Sequence, residues 1–160
     1  MDKAAVASQS GAMKTRSPRL ATRAVIMADD CLLLVNAYGG GVSDLWCAPG
    51  GGVEVGTSLP ENLMREVYEE TGLGVAVGPL CLVNEFHDPP RGFHQVDLYF
   101  RCDIVSGQIT QDWRDPEGIV TERRFFSQRE MAGIRFKPDS LLQAAWNDGV
   151  FYDPLELIVR

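Results

Sequence analysis

From Leu20 onward, apolar and polar positions fall into ordered blocks. Ala24-Val25-Ile26-Met27 and Cys31-Leu32-Leu33-Leu34-Val35 are apolar runs separated by Asp29-Asp30, a spacing that predicts two strands joined by a tight turn. Residues 38–44 and 46–55 each contain three consecutive glycines and read as loops. Helical periodicity then occupies residues 58–71. Ser58 and Glu61 have capping-box spacing, Pro60 is tolerated in the first turn, and Gly72 supplies the stop. Residues 75–85, 95–103, 107–110 and 118–126 predict strands between turn-rich segments. Ser127 with Glu130 repeats the capping signature. Residues 138–147 predict a last helix with Leu141, Leu142, Ala145 and Trp146 inward. This order points to an α+β fold, a mixed α/β/α sandwich with helices packed against a sheet.

Residues 1–17 are small and polar, without the apolar stretch of a signal peptide. They read as a disordered tail or a cloning remnant, with Met13 as an alternative start, which leaves 18–160 as a single domain. At 160 residues, 45% hydrophobic and 23% charged, the chain has the composition of an ordinary globular protein with one core. No apolar run reaches the length of a membrane span. Cys31, Cys47, Cys81 and Cys102 are scattered with no C-x-x-C pair, as expected of core thiols in a reducing, cytoplasmic compartment. A net charge of −7 argues against a long nucleic-acid footprint. An acidic enzyme acting on an acidic substrate would need a cation between the two.

On a helical wheel, Leu63, Met64, Val67 and Tyr68 share one arc, and Glu66, Glu69 and Glu70 occupy the adjoining one. Carboxylates three and four residues apart repel by a few tenths of a kcal/mol per pair. A hard divalent cation such as Mg²⁺, which prefers carboxylate oxygens, offsets that repulsion. The competing reading is a solvated acidic face.

The setting of these glutamates decides between the two. Residues 51–73 run Gly51-Gly52-Val53-Glu54-Val55-Gly56-Thr57, then through Arg65-Glu66-Val67-Tyr68-Glu69-Glu70 to Gly72-Leu73. This resembles the Nudix box, G-x5-E-x7-R-E-U-x-E-E-x-G-U with U aliphatic, at every fixed position but one. Thr57 stands where the family usually has its first glutamate, and Glu54 lies close enough to substitute in part. The flanking elements follow the family order over roughly residues 20–150.

The resemblance implies a Nudix-like fold and Mg²⁺-dependent hydrolysis, with Mn²⁺ as a substitute, of a pyrophosphate bond. The substrate would be a small nucleotide, a nucleoside diphosphate linked to another group (ADP-ribose-like) or a nucleoside triphosphate. Neither a long nucleic acid nor a membrane is implied as a partner, and a homodimer is left open. It places the metal ligands at Glu66, Glu69, Glu70 and the backbone of Gly51, with Arg65 orienting the glutamates. Glu69 or Glu122 is the candidate base, with Glu117 as second choice. The polar and aromatic loop at residues 87–94 offers Arg91, Phe93 and His94 for substrate binding. Pro89, sixteen residues after Leu73, has a spacing similar to that of ADP-ribose-cleaving members. A non-catalytic nucleotide-sensing module is the alternative. Such modules commonly lose box glutamates, and here Arg65, Glu66, Glu69 and Glu70 are all present.

Overall fold

A computed structural model describes residues 16–160. The tail expected over residues 1–17 lies outside that range except for Arg16 and Ser17. The chain begins with the hairpin β1 (Arg19–Ala28) and β2 (Cys31–Asn36), in register Met27 with Leu32 and Ala28 with Cys31. Asp29 and Asp30 turn the corner at φ 51° and 59°. Two consecutive left-handed residues match the twist that a two-residue hairpin needs, and aspartate tolerates that conformation better than most side chains.

Short strands β3 (Leu45–Cys47) and β4 (Gly50–Gly52) follow, then helix α1 (Leu59–Thr71). The long antiparallel pair β5 (Gly74–Asp88) and β6 (Phe93–Ser106) comes next, with register shifts between Val77 and Leu80. After β7 (Arg123–Ser127) come α2 (Gln128–Met131), β8 (Arg135–Phe136), α3 (Leu141–Trp146) and β9 (Phe151–Leu157). The strands form one nine-stranded sheet in the order β8-β3-β2-β1-β6-β5-β9, with β4 added to β1 and β7 to β2. β1 is the hub, antiparallel to β2 and β4 and parallel to β6.

Alternation along β1 and β2 explains why the sheet is covered on both faces. Val25, Leu32 and Leu34 point into one apolar cluster, with Met131 of α2 and Leu141, Ala144 and Ala145 of α3. Ala24, Ile26 and Leu33 point the other way, against Leu63 and Val67 of α1 and Leu73 and Val75. Both α1 side chains are fully buried, and each such burial contributes about 1.5–3 kcal/mol. The result is the expected α+β sandwich.

Four details differ from the sequence reading. Residues 107–110 and 118–122 form no strand; in the second segment the Asp115 carboxylate accepts hydrogen bonds from the backbone N–H groups of Ile119 and Val120, as it does from Glu117 just before them. Those donors are satisfied by a side chain and leave no ladder to build. β9 was not anticipated: Pro154 interrupts its pattern, and the strand is tolerated because it lies at the sheet edge, paired only with β5. The last helix is shorter than expected, with Ala144 fully buried and Leu142 and Trp146 only partly so. Met64 and Tyr68 are exposed, although the wheel sets them beside Leu63 and Val67.

Candidate active site

Helix α1 is delivered to the sheet by its caps and by one polar staple. The Ser58 hydroxyl accepts from the Glu61 N–H at 3.3 Å, and Gly72, at φ 76°, donates its N–H to the Tyr68 carbonyl. Asn62 is completely buried. Its amide donates to the Thr22 hydroxyl and the Gly52 carbonyl, both at 3.1 Å, while its oxygen accepts from the Glu54 N–H at 3.2 Å. One side chain thus fixes the glycine strand β4 to the helix. Nothing in the sequence marked Asn62 except a polar residue on the inward side of an amphipathic helix.

The glycine strand is hemmed in from two sides, by the Glu66 carboxyl of the helix at Gly51 and by the backbone of β1 at Gly50. A Cβ on Gly51 would lie 2.6 Å from the Glu66 carboxyl, and one on Gly50 would lie 1.9 Å from the Thr22 carbonyl oxygen. Glu66 is therefore packed against bare backbone. The Gly50 N–H donates to Glu70 Oε2 at 3.1 Å. Arg65 donates to Glu69 at 3.2 and 3.3 Å and to Glu66 at 3.1 Å, and lies 3.5 Å from Glu54. Glu54 thus meets Arg65 from the segment in which Thr57 replaces the usual glutamate.

Glu66 and Glu70 line a cavity of about 480 Å³ together with β4, Asp115 and Glu117. Burial pushes the Glu70 carboxyl up to about 8, with Arg23 and the Gly50 N–H opposing that rise and Glu66 and Asp115 adding to it. Burial also raises Glu66, against the pull of Arg65, and Glu69 and Glu117 push in the same direction as burial. Arg19 and Arg23 also line this cavity, yet burial and the neighbouring carboxylates outweigh the pull of Arg23 on Glu70. Among the described residues no three acidic, histidine or cysteine side chains close on a single point. Arg65 draws Glu69 aside and Gly50 holds Glu70. The donor set nevertheless fits a hard cation, with carboxylate oxygens facing a polar cavity against bare glycine backbone.

A smaller cavity of about 200 Å³ adjoins this one, and Arg19, Arg23 and Cys47 belong to the walls of both. It runs between Tyr38 and Phe86 and reaches Gln95 and Asp97. Arg19 donates to the Gln95 side-chain oxygen at 2.9 Å, and the Gln95 amide donates to Asp97 at 2.6 Å. Arg23 lies 3.5 Å from Asp97 and donates to the Ala48 carbonyl at 3.2 Å. The sequence carries a signal for Arg23, a cation set directly before the apolar run of β1.

The structure brings the other sequence candidates together less well. Glu122 is exposed, precedes β7 instead of lying within a strand, and does not line the cavity, whereas Glu117 does. Arg91, Phe93 and His94 sit at the tip of the β5–β6 hairpin and line neither cavity. Arg91 pairs with Asp88 at 3.6 Å and His94 meets Glu85 at 3.3 Å, so both are held by hairpin neighbours. Phe93 packs on Phe86, with ring centroids 6.0 Å apart, and only Phe86 reaches the smaller cavity.

A two-faced mixed sheet that presents a glycine strand and a glutamate-bearing helix to one polar cavity defines a class of phosphate-handling domain. The model of the NUDIX domain matches residues 17–147, and the chain belongs to the Nudix hydrolase family. It is similar to an ADP-ribose pyrophosphatase of Methanocaldococcus jannaschii, 27% identical over 135 residues that cover 82% of this chain and 76% of that protein. It is also similar to a Bacillus subtilis protein provisionally named an ADP-ribose pyrophosphatase, 30% identical over 95 residues. That match covers 58% of this chain and 44% of the relative, so the chain spans less than half of that protein's length. A solved structure of a NUDIX hydrolase from Nitrosomonas europaea superposes with a TM-score of 0.67 at 26% identity, covering 80% of this chain and 86% of that one. No helix among the described residues is long and apolar enough to cross a membrane.

Proposed function

We propose that residues 18–160 form one domain that hydrolyses the pyrophosphate bond of a small nucleotide, ADP-ribose or a close analogue, with Mg²⁺ as cofactor and Mn²⁺ as a substitute. The observation that carries this reading is the pairing of Glu66 and Glu70 against the glycine strand in a cavity where both carboxyls are pushed upward. The cavity beyond Arg23 offers room for the part of the substrate on the far side of the pyrophosphate. The two ADP-ribose pyrophosphatase relatives favour that substrate over a nucleoside triphosphate. The presence of all four residues of the Arg65, Glu66, Glu69 and Glu70 set favours an enzyme over a sensing module.

Glu66, Glu69, Glu70 and the Gly51 backbone are the residues to hold the cation, which when bound neutralises phosphate oxygens and lowers the pKa of the attacking water. Arg65 keeps Glu66 and Glu69 in register, and the Gly50 N–H holds Glu70. Glu117 replaces Glu122 as the carboxylate from outside the box, because it faces Glu66 across the cavity. It accepts the proton of a water that attacks phosphorus in line. The P–O bond to the bridging oxygen breaks, and with ADP-ribose the products are AMP and ribose 5-phosphate. Arg19 and Arg23 are positioned to hold phosphate oxygens as charge moves onto the leaving group.

Metal-stripped protein incubated with ADP-ribose should release AMP only when Mg²⁺ or Mn²⁺ is restored, with nucleoside triphosphates cut more slowly. Full turnover after exhaustive chelation, or no AMP from ADP-ribose with metal present, would overturn the proposal.

A further inference from the structure

The segment between β6 and β7 forms no strand, yet it delivers Glu117 to the cavity, and the structure shows how it is held. The last carbonyls of a helix have no partner within the helix. In α1 the Leu73 N–H turns to the Thr71 hydroxyl, and the Glu69 carbonyl instead accepts the indole N–H of Trp113 at 2.8 Å. The next carbonyl, that of Glu70, accepts from Arg123 Nε. Successive carbonyls of the glutamate helix therefore grip the two ends of segment 113–123. The Trp113 ring meets Tyr68 edge to face at 5.2 Å and covers Gly72 so closely that a Cβ there would come within 2.8 Å of it. Between the two anchors, Asp115 gathers the N–H groups of Glu117, Ile119 and Val120 at 2.9–3.1 Å, which fixes the curve of the chain.

We propose that Trp113 is a positioning residue. By hydrogen-bonding the backbone of Glu69, it ties the placement of Glu117 to the helix that carries Glu66, Glu69 and Glu70. This rests on the reading of Glu117 as the carboxylate that takes the proton from water. The attacking water must be met from two sides, by the helix and by the loop, and their relative position depends on the bond between Trp113 and Glu69. Exposed Tyr68 and the glycine at position 72 then have a use: they are the floor on which the indole lies.

Trp113→Phe keeps a ring on that floor and removes only the N–H. With ADP-ribose as substrate, kcat should fall by roughly tenfold to a hundredfold, as expected for a misplaced reacting group. KM and the half-saturating Mg²⁺ concentration should stay within about twofold, since the indole meets only the backbone of Glu69, not its carboxylate, and lines neither cavity. Combined with Glu117→Gln, the Phe variant should add little further loss, because both changes remove the same contribution. Multiplying losses in the double variant would show that Trp113 does not act through Glu117 and would overturn the proposal. If Glu117→Gln alone turned over at the native rate, the assignment of Glu117 would fall first and the proposal with it. Hydrogen exchange on the metal-free protein gives a readout independent of activity. In Trp113→Phe, residues 114–120 should exchange faster while α1 stays as protected as before, and loosening of α1 itself would refute a role confined to the loop.

Discussion

At Glu70, burial raises the carboxyl from an ordinary 4.5 to about 8, so in the absence of a cation the fold prefers the protonated acid. The sign of the pH dependence follows. The stabilising contribution is complete below the unfolded value of about 4.5 and is lost as pH rises through about 8. Chelated protein should therefore melt at a lower temperature at pH 8 than at pH 6, and Glu70→Gln should flatten that difference. Equal slopes in the two proteins would remove Glu70 as the cause. With metal present the same substitution, like Glu69→Gln, should leave a folded protein whose kcat falls by about 3–4 kcal/mol in transition-state terms. Single-turnover rates on purified variants check this. These glutamates were legible in the sequence because their spacing and fixed neighbours are local. Glu117 was ranked below Glu122 because loop placement depends on Asp115, a side-chain turn that no periodicity announces.

Helix α1 shows how far local pattern reaches and where it ends. Ser58, Gly72, Leu63 and Val67 behave as the pattern requires, since a cap, a stop and an apolar stripe are properties of the segment alone. Met64 and Tyr68 depart from it: the apolar cluster under the helix takes in Leu63 and Val67 and leaves these two exposed. The face beside them is left to Trp113 from a loop 44 residues away. Asn62 belongs to the same lesson, as its partners Thr22 and Gly52 come from two other strands. Removing it leaves buried groups unpaired. Asn62→Ala is therefore expected to cost about 1–3 kcal/mol, read as a lower urea midpoint. A variant as stable as the native protein would show that the staple is not needed. Activity should fall as well, since β4 and α1 lose their shared anchor.

For the molecule as a whole, the two cavities joined at Arg23 predict that metal and substrate bind together more tightly than either alone. Anionic phosphate is repelled by the carboxylates that line the cavity, and a cation held between the two turns that repulsion into attraction. With Mg²⁺ present, a slowly hydrolysed ADP-ribose analogue at a hundred times its Kd should stabilise the fold by about 2.7 kcal/mol. For a domain of this size that is a rise in Tm of roughly 5–10 °C. The analogue without metal should give a much smaller rise, and equal shifts in both cases would separate the second cavity from the metal site.

The parallel ladder between β1 and β6 has a consequence for the order in which the enzyme comes into being. Arg19 and Gln95 are 76 residues apart, and the glycine strand β4 and helix α1, which bring Glu66 and Glu70 to the cavity, lie in the loop they close. A nascent chain can complete its first hairpin within moments of its synthesis. The glutamate helix, however, emerges onto a strand whose other neighbour has yet to be made. Closing so long a loop costs entropy before any contact compensates, and parallel pairing is among the slower steps available to a chain. The glutamates therefore gain their final surroundings only once β6 has arrived. Until then their charges stand in water, where repulsion is weak and a stray cation is held loosely. Catalytic competence is in this sense a late acquisition, which waits on β6 and then on the segment beyond it that brings Glu117 to the cavity.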